Sequence, residues 1–100
     1  LFPADQPLAI FFEQGDCYAC DVLHTGPLAD PGIREQLKQF QTVQLDFNGD
    51  TPIITPDGKR TTDGEWAQQL GLFYTPSIMF FDEHGHEIIR VDSVVRFSRL

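Results

Sequence analysis

The sequence predicts an α/β fold in which a four-stranded mixed sheet is flanked by helices. Four short β-rich runs alternate with helical segments in the order β-α-α-β-α-β-β-α, or β-α-β-α-β-β-α if the interrupted first helix is counted once. The helical crossover between the first two runs makes those strands parallel. The last two runs are joined by only four residues, EHGH, which predicts an antiparallel hairpin. The chain has 100 residues, 41% of them hydrophobic and 22% charged, which predicts one globular domain over residues 1–100.

The first half of the chain is predicted to hold two strands with helices between them. Residues 7–12, PLAIFF, form a continuous apolar run typical of a strand buried on both faces. Asp16 is the predicted N-cap of a helix over residues 17–24. Asp30, followed by proline, is the predicted N-cap of a second helix with the sequence DPGIREQLKQF. The alternating segment TVQLDF, residues 42–47, predicts the second strand.

The second half begins with a turn-rich excursion and ends in the hairpin. Residues 48–61 contain NGD and TPDGK, which predict a surface excursion with a small hairpin. Thr62 and the glutamate three residues later form a capping box that begins a helix. Residues 77–82 and 87–92 are predicted strands, and Ser93 begins a last helix. The strand order predicted across the sheet is 42–47, 8–13, 77–82, 87–91.

The charge and the apolar pattern exclude several classes of protein. A net charge of −8 argues against nucleic-acid binding and against docking on an anionic membrane surface. No apolar run approaches the roughly 18 residues that a membrane span needs, so no membrane insertion is expected in this segment. The chain begins with Leu1 rather than methionine and ends within a predicted helix. We therefore expect it to be a piece of a longer precursor, trimmed at one or both ends.

Both cysteines of the chain, Cys17 and Cys20, lie in one Cys-Tyr-Ala-Cys window directly after the first strand. The chain has enough apolar residues to fold without a disulfide framework, so the pair indicates chemistry. Cys17 is placed at a helix N-terminus, where unpaired N–H groups and the helix dipole stabilise a thiolate. Cys20 follows about one helical turn later, so the two sulfurs can face each other. A Cys17 thiolate can attack a partner disulfide, and Cys20 can then resolve the mixed disulfide.

The motif and Thr75–Pro76, in the stretch YTPSIMFF, together resemble the thioredoxin superfamily over roughly residues 7–100. That family has this element order, with Cys-x-x-Cys after the first strand and a cis-proline before the third. The resemblance implies a thiol–disulfide oxidoreductase in which Cys17 is the nucleophile, Cys20 is the resolving thiol and Pro76 is the cis-proline. It also implies that Thr75 offers its backbone to the bound substrate.

Within the superfamily, the stretch FFEQGDCYAC is most similar to bacterial periplasmic or membrane-associated thioredoxins of the SoxW-like or thioredoxin-related kind. This similarity implies a periplasmic or otherwise extracytoplasmic location. It implies disulfide-containing or dithiol proteins as partners, with a membrane-bound electron donor among them. No organic cofactor is implied, because the reagent is the Cys17–Cys20 disulfide itself.

The window departs from the pattern of typical cytosolic thioredoxins, which read Trp-Cys-Gly-Pro-Cys with a buried Asp six residues before the first Cys. Asp16 replaces the Trp, and Tyr18 and Ala19 replace Gly-Pro. Phe11 stands where the buried Asp would be, so the usual proton relay lacks its acid. Glu13 is the candidate substitute. We expect Tyr18 and Ala19 to line the substrate-binding surface.

The charge of this window predicts the direction of electron flow. It carries Glu13, Asp16 and Asp21 and no lysine or arginine. Negative neighbours disfavour a thiolate, and Asp16 as the helix cap would take N–H groups away from Cys17. Both effects raise the pKa of the Cys17 thiol above that of a strong oxidant. The sequence therefore predicts a reductant or electron relay, with Glu13 and Asp16 as tuning residues.

Three alternatives stay open. A disulfide oxidase or isomerase of the same fold would hold a far more acidic Cys17. A copper-handling metallochaperone would use Cys17, Cys20 and His24, because His24 lies four residues after Cys20 on one helix. A binding module with inert cysteines would keep the fold without exchanging thiols. Against the metal alternative, His24 is more typical of a partly buried helix residue.

Overall fold

The computed structural model describes residues 6–91, and it confirms the mixed α/β architecture. The strands, in chain order, are β1 (Leu8–Glu13), β2 (Gln41–Asp46), β3 (Pro52–Ile54), β4 (Arg60–Thr62), β5 (Ser77–Phe81) and β6 (Glu87–Val91). The helices are α1 (Tyr18–Thr25), α2 (Pro31–Leu37) and α3 (Asp63–Gln69), with a 3-10 turn at Pro27–Ala29. The helix predicted from Ser93 onward, and residue 92 of the last predicted strand, lie outside the described residues.

The main sheet has the predicted strand order, β2-β1-β5-β6. β1 pairs in parallel with β2 because α1 and α2 carry the chain across between them. β1 also pairs antiparallel with β5, and β5 pairs antiparallel with β6 through the turn before Glu87. β3 and β4 form a separate two-stranded hairpin in the predicted surface excursion. Strand β1 is therefore central, and its C-terminal end leads directly to the cysteine motif.

Strand β1 is buried along its whole length, as its continuous apolar run predicts. Alternate residues of the strand face opposite sides of the sheet. One side packs against α3, in a cluster that includes Leu8, Ile10, Phe12, Trp66, Met79 and Phe81. The other side packs against α1 and α2, in a cluster that includes Ala9, Phe11, Leu23, Ile78 and Phe80. The functional motif therefore lies on a helix anchored to a fully buried strand.

Two of the three helix starts predicted within residues 6–91 are confirmed by their capping bonds. The Asp30 carboxylate accepts the N–H of Ile33 at 3.0 Å, and the Thr62 hydroxyl accepts the N–H of Glu65 at 3.2 Å. The predicted extension of α2 to Phe40 is wrong. The N–H groups of residues 38–40 bond three residues back rather than four, and this tight turn brings the chain into β2.

No helix in the described part of the chain is long and apolar enough to cross a membrane.

Candidate active site

Cys17 is the N-cap residue of α1. Its backbone is extended (φ −141°, ψ 103°), and its sulfur accepts the N–H of Cys20 at 3.0 Å. The prediction that Asp16 caps this helix is therefore wrong. Asp16 is exposed and has no hydrogen-bond partner among residues 6–91, because the sulfur one residue later occupies the capping position. At this position, the unpaired N–H groups and the dipole of α1 stabilise an acceptor that carries a negative charge.

Cys17 and Cys20 are joined by a disulfide, with 5.2 Å between their Cα atoms. The two residues differ in exposure. Cys20, in the first turn of α1, is 3% exposed, while Cys17 is half-buried. Cys17 is therefore the more accessible of the two residues to an approaching disulfide or thiol.

The loop before β5 faces Cys17. The Thr75 hydroxyl oxygen lies 3.4 Å from the Cys17 sulfur, 58 residues away in the chain. The Thr75–Pro76 peptide bond is cis. Ser77, the next residue, pairs with Phe12 of β1, so the sheet itself sets the position of this loop beside the motif. The fold thus brings together the two stretches that the sequence singles out, CYAC and Thr75–Pro76.

Exposed aromatic side chains flank this junction. Tyr18 is 84% exposed, Phe73 81% and Tyr74 67%, and Ala19 is half-buried between the cysteines. The sequence pattern singles out Tyr18 but not Phe73. The sequence only weakly indicates that Phe73 is exposed near the motif, because an aromatic residue between Leu72 and Tyr74 is equally typical of a buried core position. Three large, mostly exposed aromatic side chains therefore lie within two residues of Cys17 or Thr75 in the chain.

Beneath α1, the carboxylate of Glu13 meets the imidazole of His24. The Nε2 atom of His24 lies 2.7 Å and 2.9 Å from the two carboxylate oxygens. The Glu13 side chain is only 7% exposed, whereas that of His24 is 49% exposed. Glu13 lies on the same side of β1 as Phe11, since residues two apart in a strand share a face. An acid is therefore present under the motif, two residues later than in typical thioredoxins.

The metal alternative has no support from this arrangement. Among residues 6–91, no three His, Cys, Asp or Glu side chains are placed to hold a metal ion. His24 directs its Nε2 atom at Glu13 rather than offering it to the sulfurs, which are bonded to each other. His84 and His86 lie in the β5–β6 turn, exposed and far along the chain from the motif.

A groove with a cavity volume of about 520 Å³ opens beside the Glu13–His24 pair. Its apolar lining comes from β1, α2 and the segments that flank α2. Two cations, Arg34 and Lys38, lie along it on the α2 side. The residues that line it are Phe11, Glu13, His24, Leu28, Arg34, Leu37, Lys38, Phe40, Thr42, Val43 and Gln44.

Comparison with known proteins gives a family and a fold. A family model described as a thioredoxin-like domain matches residues 3–100. Two proteins named thiol:disulfide interchange protein DsbD are similar in sequence. The one from Tatumella citrea is 28% identical over 72% of this chain, and the one from Haemophilus ducreyi is 31% identical over 75%. The chain spans only 11% and 12% of the lengths of these curated relatives.

Solved structures agree on the fold. A thioredoxin-fold protein from Helicobacter pylori superposes with a TM-score of 0.74 at 17% identity, covering 93% of this chain and 63% of that one. A thioredoxin from Thermus thermophilus gives a TM-score of 0.68 at 19% identity, covering 89% of this chain and 63% of that one. At these identities the likeness shows the fold alone.

Proposed function

We propose that this chain, which belongs to the thioredoxin-like domain family, is a thiol–disulfide oxidoreductase that works through Cys17 and Cys20. The observation that carries the proposal is the unequal exposure of a disulfide at the start of α1. The half-buried sulfur accepts a helix N–H at 3.0 Å, and its partner is 3% exposed. An accessible nucleophile with a covered resolving thiol is the arrangement that stepwise exchange requires.

In the reducing direction, the reaction proceeds in two balanced steps. The Cys17 thiolate attacks one sulfur of a partner disulfide, and the other partner sulfur leaves with the electron pair of the broken bond. Cys20 then loses its proton and attacks the Cys17 sulfur, forming the Cys17–Cys20 disulfide. The second partner sulfur leaves with an electron pair and takes a proton from water. The partner gains two electrons, and the chain loses them.

We further propose that the chain acts as a reductant or electron relay. Glu13, Asp16 and Asp21 place negative charge around the motif, which disfavours the Cys17 thiolate. The argument that Asp16 competes for the helix N–H groups no longer applies, because the Cys17 sulfur itself caps α1. The direction therefore rests on the carboxylates alone. Two relatives named thiol:disulfide interchange proteins are consistent with electron transfer between dithiols.

The partners proposed are disulfide-containing or dithiol proteins, which Tyr18, Phe73 and Tyr74 would meet with exposed apolar surface. Thr75 and Ala19 border the same approach to Cys17, and Pro76 holds the position of the family's cis-proline. The resemblance to periplasmic thioredoxins supports two more proposals, a membrane-bound electron donor and an extracytoplasmic, periplasmic location. It also implies that no organic cofactor is needed. Disulfide exchange in an oxidising compartment is consistent with this location.

The deciding experiment is the reduction potential of the Cys17–Cys20 pair, measured by equilibration against dithiothreitol and glutathione buffers. We expect a value near that of thioredoxin, about −270 mV. A value near −120 mV, typical of a strong oxidant, would contradict the reducing direction. The absence of any reversible transition would contradict the oxidoreductase proposal.

Two sets of variants test the roles of single residues. Cys20→Ser should trap a mixed disulfide with a partner, and Cys17→Ser should trap none. Phe73→Ser combined with Tyr74→Ser should slow the reduction of a protein disulfide while leaving exchange with glutathione unchanged. Equal loss with both substrates would assign these aromatics to the folding of the loop rather than to partner contact.

A further inference from the structure

The Glu13–His24 pair is an enclosed contact between an acid and an imidazole near the cysteine motif. Both carboxylate oxygens of Glu13 lie within 2.9 Å of the Nε2 atom of His24. The glutamate side chain is 7% exposed, so water reaches it poorly. A proton that enters or leaves this carboxylate therefore needs a route through a neighbouring group.

The helical spacing of α1 places His24, one member of this pair, beside Cys20. Cys20 and His24 are four residues apart in one helix, so their side chains are neighbours on one face. That face packs on β1, because Leu23 belongs to the same cluster as Phe11. Glu13 follows Phe11 on the same side of the strand and reaches His24. The buried thiol, the buried acid and the imidazole are thus contributed by one helix face and the strand under it.

His24 connects this buried group to solvent. Half of its side chain is exposed, and it lines the groove of about 520 Å³ together with Glu13. Because Nε2 faces Glu13, the second ring nitrogen, Nδ1, is the one left for water. Nδ1 has no protein partner among residues 6–91.

Several charged groups lie around the pair. Asp21 lies on α1 itself, three residues before His24, and Asp46 of β2 is paired in register with Glu13. Arg34 of α2 and Lys38, directly after the helix, line the groove, and Lys38 forms an ion pair with Glu35 at 2.9 Å. These groups set the electrostatic background, but none of them makes a hydrogen bond to Glu13 or His24.

We propose that His24 is the proton exit of the site, carrying to the groove the proton that Glu13 takes from Cys20. The inference rests on the proposed oxidoreductase function and concerns its second step. The Glu13 carboxylate takes the proton from the Cys20 thiol, and the Cys20 thiolate attacks the Cys17 sulfur. This transfer takes place in the tautomer that carries its proton on Nδ1: Glu13 gives the proton to the bare Nε2 of His24, and the ring releases its Nδ1 proton to water. The ring is left neutral with its proton on Nε2, where it donates to the Glu13 carboxylate, as the 2.7 Å contact in the disulfide-bonded chain requires. Exchange of ring protons with water restores the Nδ1–H tautomer before the next cycle, so one proton has moved to solvent.

The test uses the reduced chain and 5,5′-dithiobis(2-nitrobenzoic acid), whose two halves leave in separate steps. Attack by Cys17 releases the first thionitrobenzoate, and resolution by Cys20 releases the second. In His24→Gln, we expect the first phase to be unchanged and the second to slow by at least about 100-fold at pH 7, the lower end of what a positioned acid–base group contributes. His84→Gln, in the β5–β6 turn, is the matched control, and both of its phases should equal those of the wild type.

The glutamine variant separates a proton path from mere positioning, since a glutamine amide can donate a hydrogen bond to Glu13 but cannot carry a proton. In His24→Ala, added imidazole should restore the rate of the second phase. This rescue also tests the inference if the glutamine variant folds poorly.

Two results would overturn the inference. A normal second phase in His24→Gln would show that His24 only holds Glu13 in place. A slow second phase in His24→Ala that imidazole does not accelerate would exclude proton transfer at this position. If the wild type releases a single thionitrobenzoate, Cys20 does not resolve, and both the proposed function and this inference fail.

Discussion

Asp63 is a buried carboxylate that should be worth more to stability than any exposed charge of the chain. It is 2% exposed, at the first position of α3. Its Oδ2 atom accepts the N–H of Asp46 at 3.2 Å, and its Oδ1 atom accepts that of Thr51 at 3.1 Å. Oδ1 also accepts the N–H of Gly64 at 3.0 Å. The carboxylate therefore ties the end of β2 and the loop after it to the start of α3.

The cost of Asp63→Ala comes from the groups that it leaves without a partner. The N–H of Gly64 has a second acceptor, the Gly49 carbonyl at 3.1 Å, so the loss falls on Asp46 and Thr51. A hydrogen bond to a charged group contributes about 1.5–3 kcal/mol, so losing two of them should lower the free energy of unfolding by at least about 3 kcal/mol. Asp63→Asn keeps one oxygen acceptor and should cost roughly half as much.

The measurement is equilibrium unfolding in urea, with Asp50→Ala as the control from the same loop. Asp50 is exposed and makes no hydrogen bond among the described residues, so its removal should change stability by less than about 0.5 kcal/mol. With a urea dependence of about 1–1.5 kcal/mol per molar, Asp63→Ala should lower the midpoint by roughly 2–3 M. Equal midpoints for the Asp63→Ala and Asp50→Ala variants would refute the conclusion that the Asp63 carboxylate holds this loop in place.

Two further predictions concern the site and the pH dependence of stability. Thr75→Val removes the hydroxyl 3.4 Å from the Cys17 sulfur, so it should slow the alkylation of the reduced Cys17 by iodoacetamide about fivefold, whereas Thr42→Val should not. The Arg90 guanidinium, bonded to Glu87, lowers the pKa of that carboxyl from its ordinary value of 4.5. Because the folded-state pKa lies below the unfolded one, the pair stabilises the fold above about pH 4.5, and this contribution is lost as the pH falls through the folded value. Both side chains are more than a third exposed, so Glu87→Gln should cost under about 1 kcal/mol at pH 7 and nothing in strong acid, as urea unfolding across pH would show.

Most of the sheet could be predicted from the sequence because its signals are local. The apolar run of β1, the alternation in β2 and the EHGH turn each depend on residues within one element. The connections then indicate which strand pairs are parallel and which are antiparallel, whereas the strand order, with β1 next to β5, follows from the resemblance to thioredoxins. The end of α2 is harder to predict from the sequence, since Phe40 continues the helical spacing of apolar residues. That residue instead packs against Phe80, with ring centroids 5.1 Å apart, and so belongs to the turn that leads into β2.

The helix cap at the motif shows a limit of residue preferences. Aspartate is a common N-cap and cysteine is not, so preference alone places the cap at Asp16. The cap falls one residue later because the sulfur of Cys17 reaches the N–H of Cys20, closing the same ring that a capping oxygen would close. The shift matters chemically, since it puts the helix N–H on the reactive atom itself. An aspartate cap would have left the sulfur without that bond.

The contact between Glu13 and His24 could not be predicted from the sequence, because it depends on how a helix packs on a strand. Alternation along β1 puts Glu13 on the face of Phe11, about 6.6 Å further toward the motif. Helical spacing puts His24 beside Cys20, and without the packing of α1 on β1 that neighbourhood suggests a metal ligand. Once Leu23 is seated against Phe11, the next residue of the helix lies over Glu13, the next side chain on that face of the strand. The chain thus carries a buried acid four residues before the first cysteine, two residues later than the acid of typical thioredoxins, and the half-exposed His24 of α1 reaches it there.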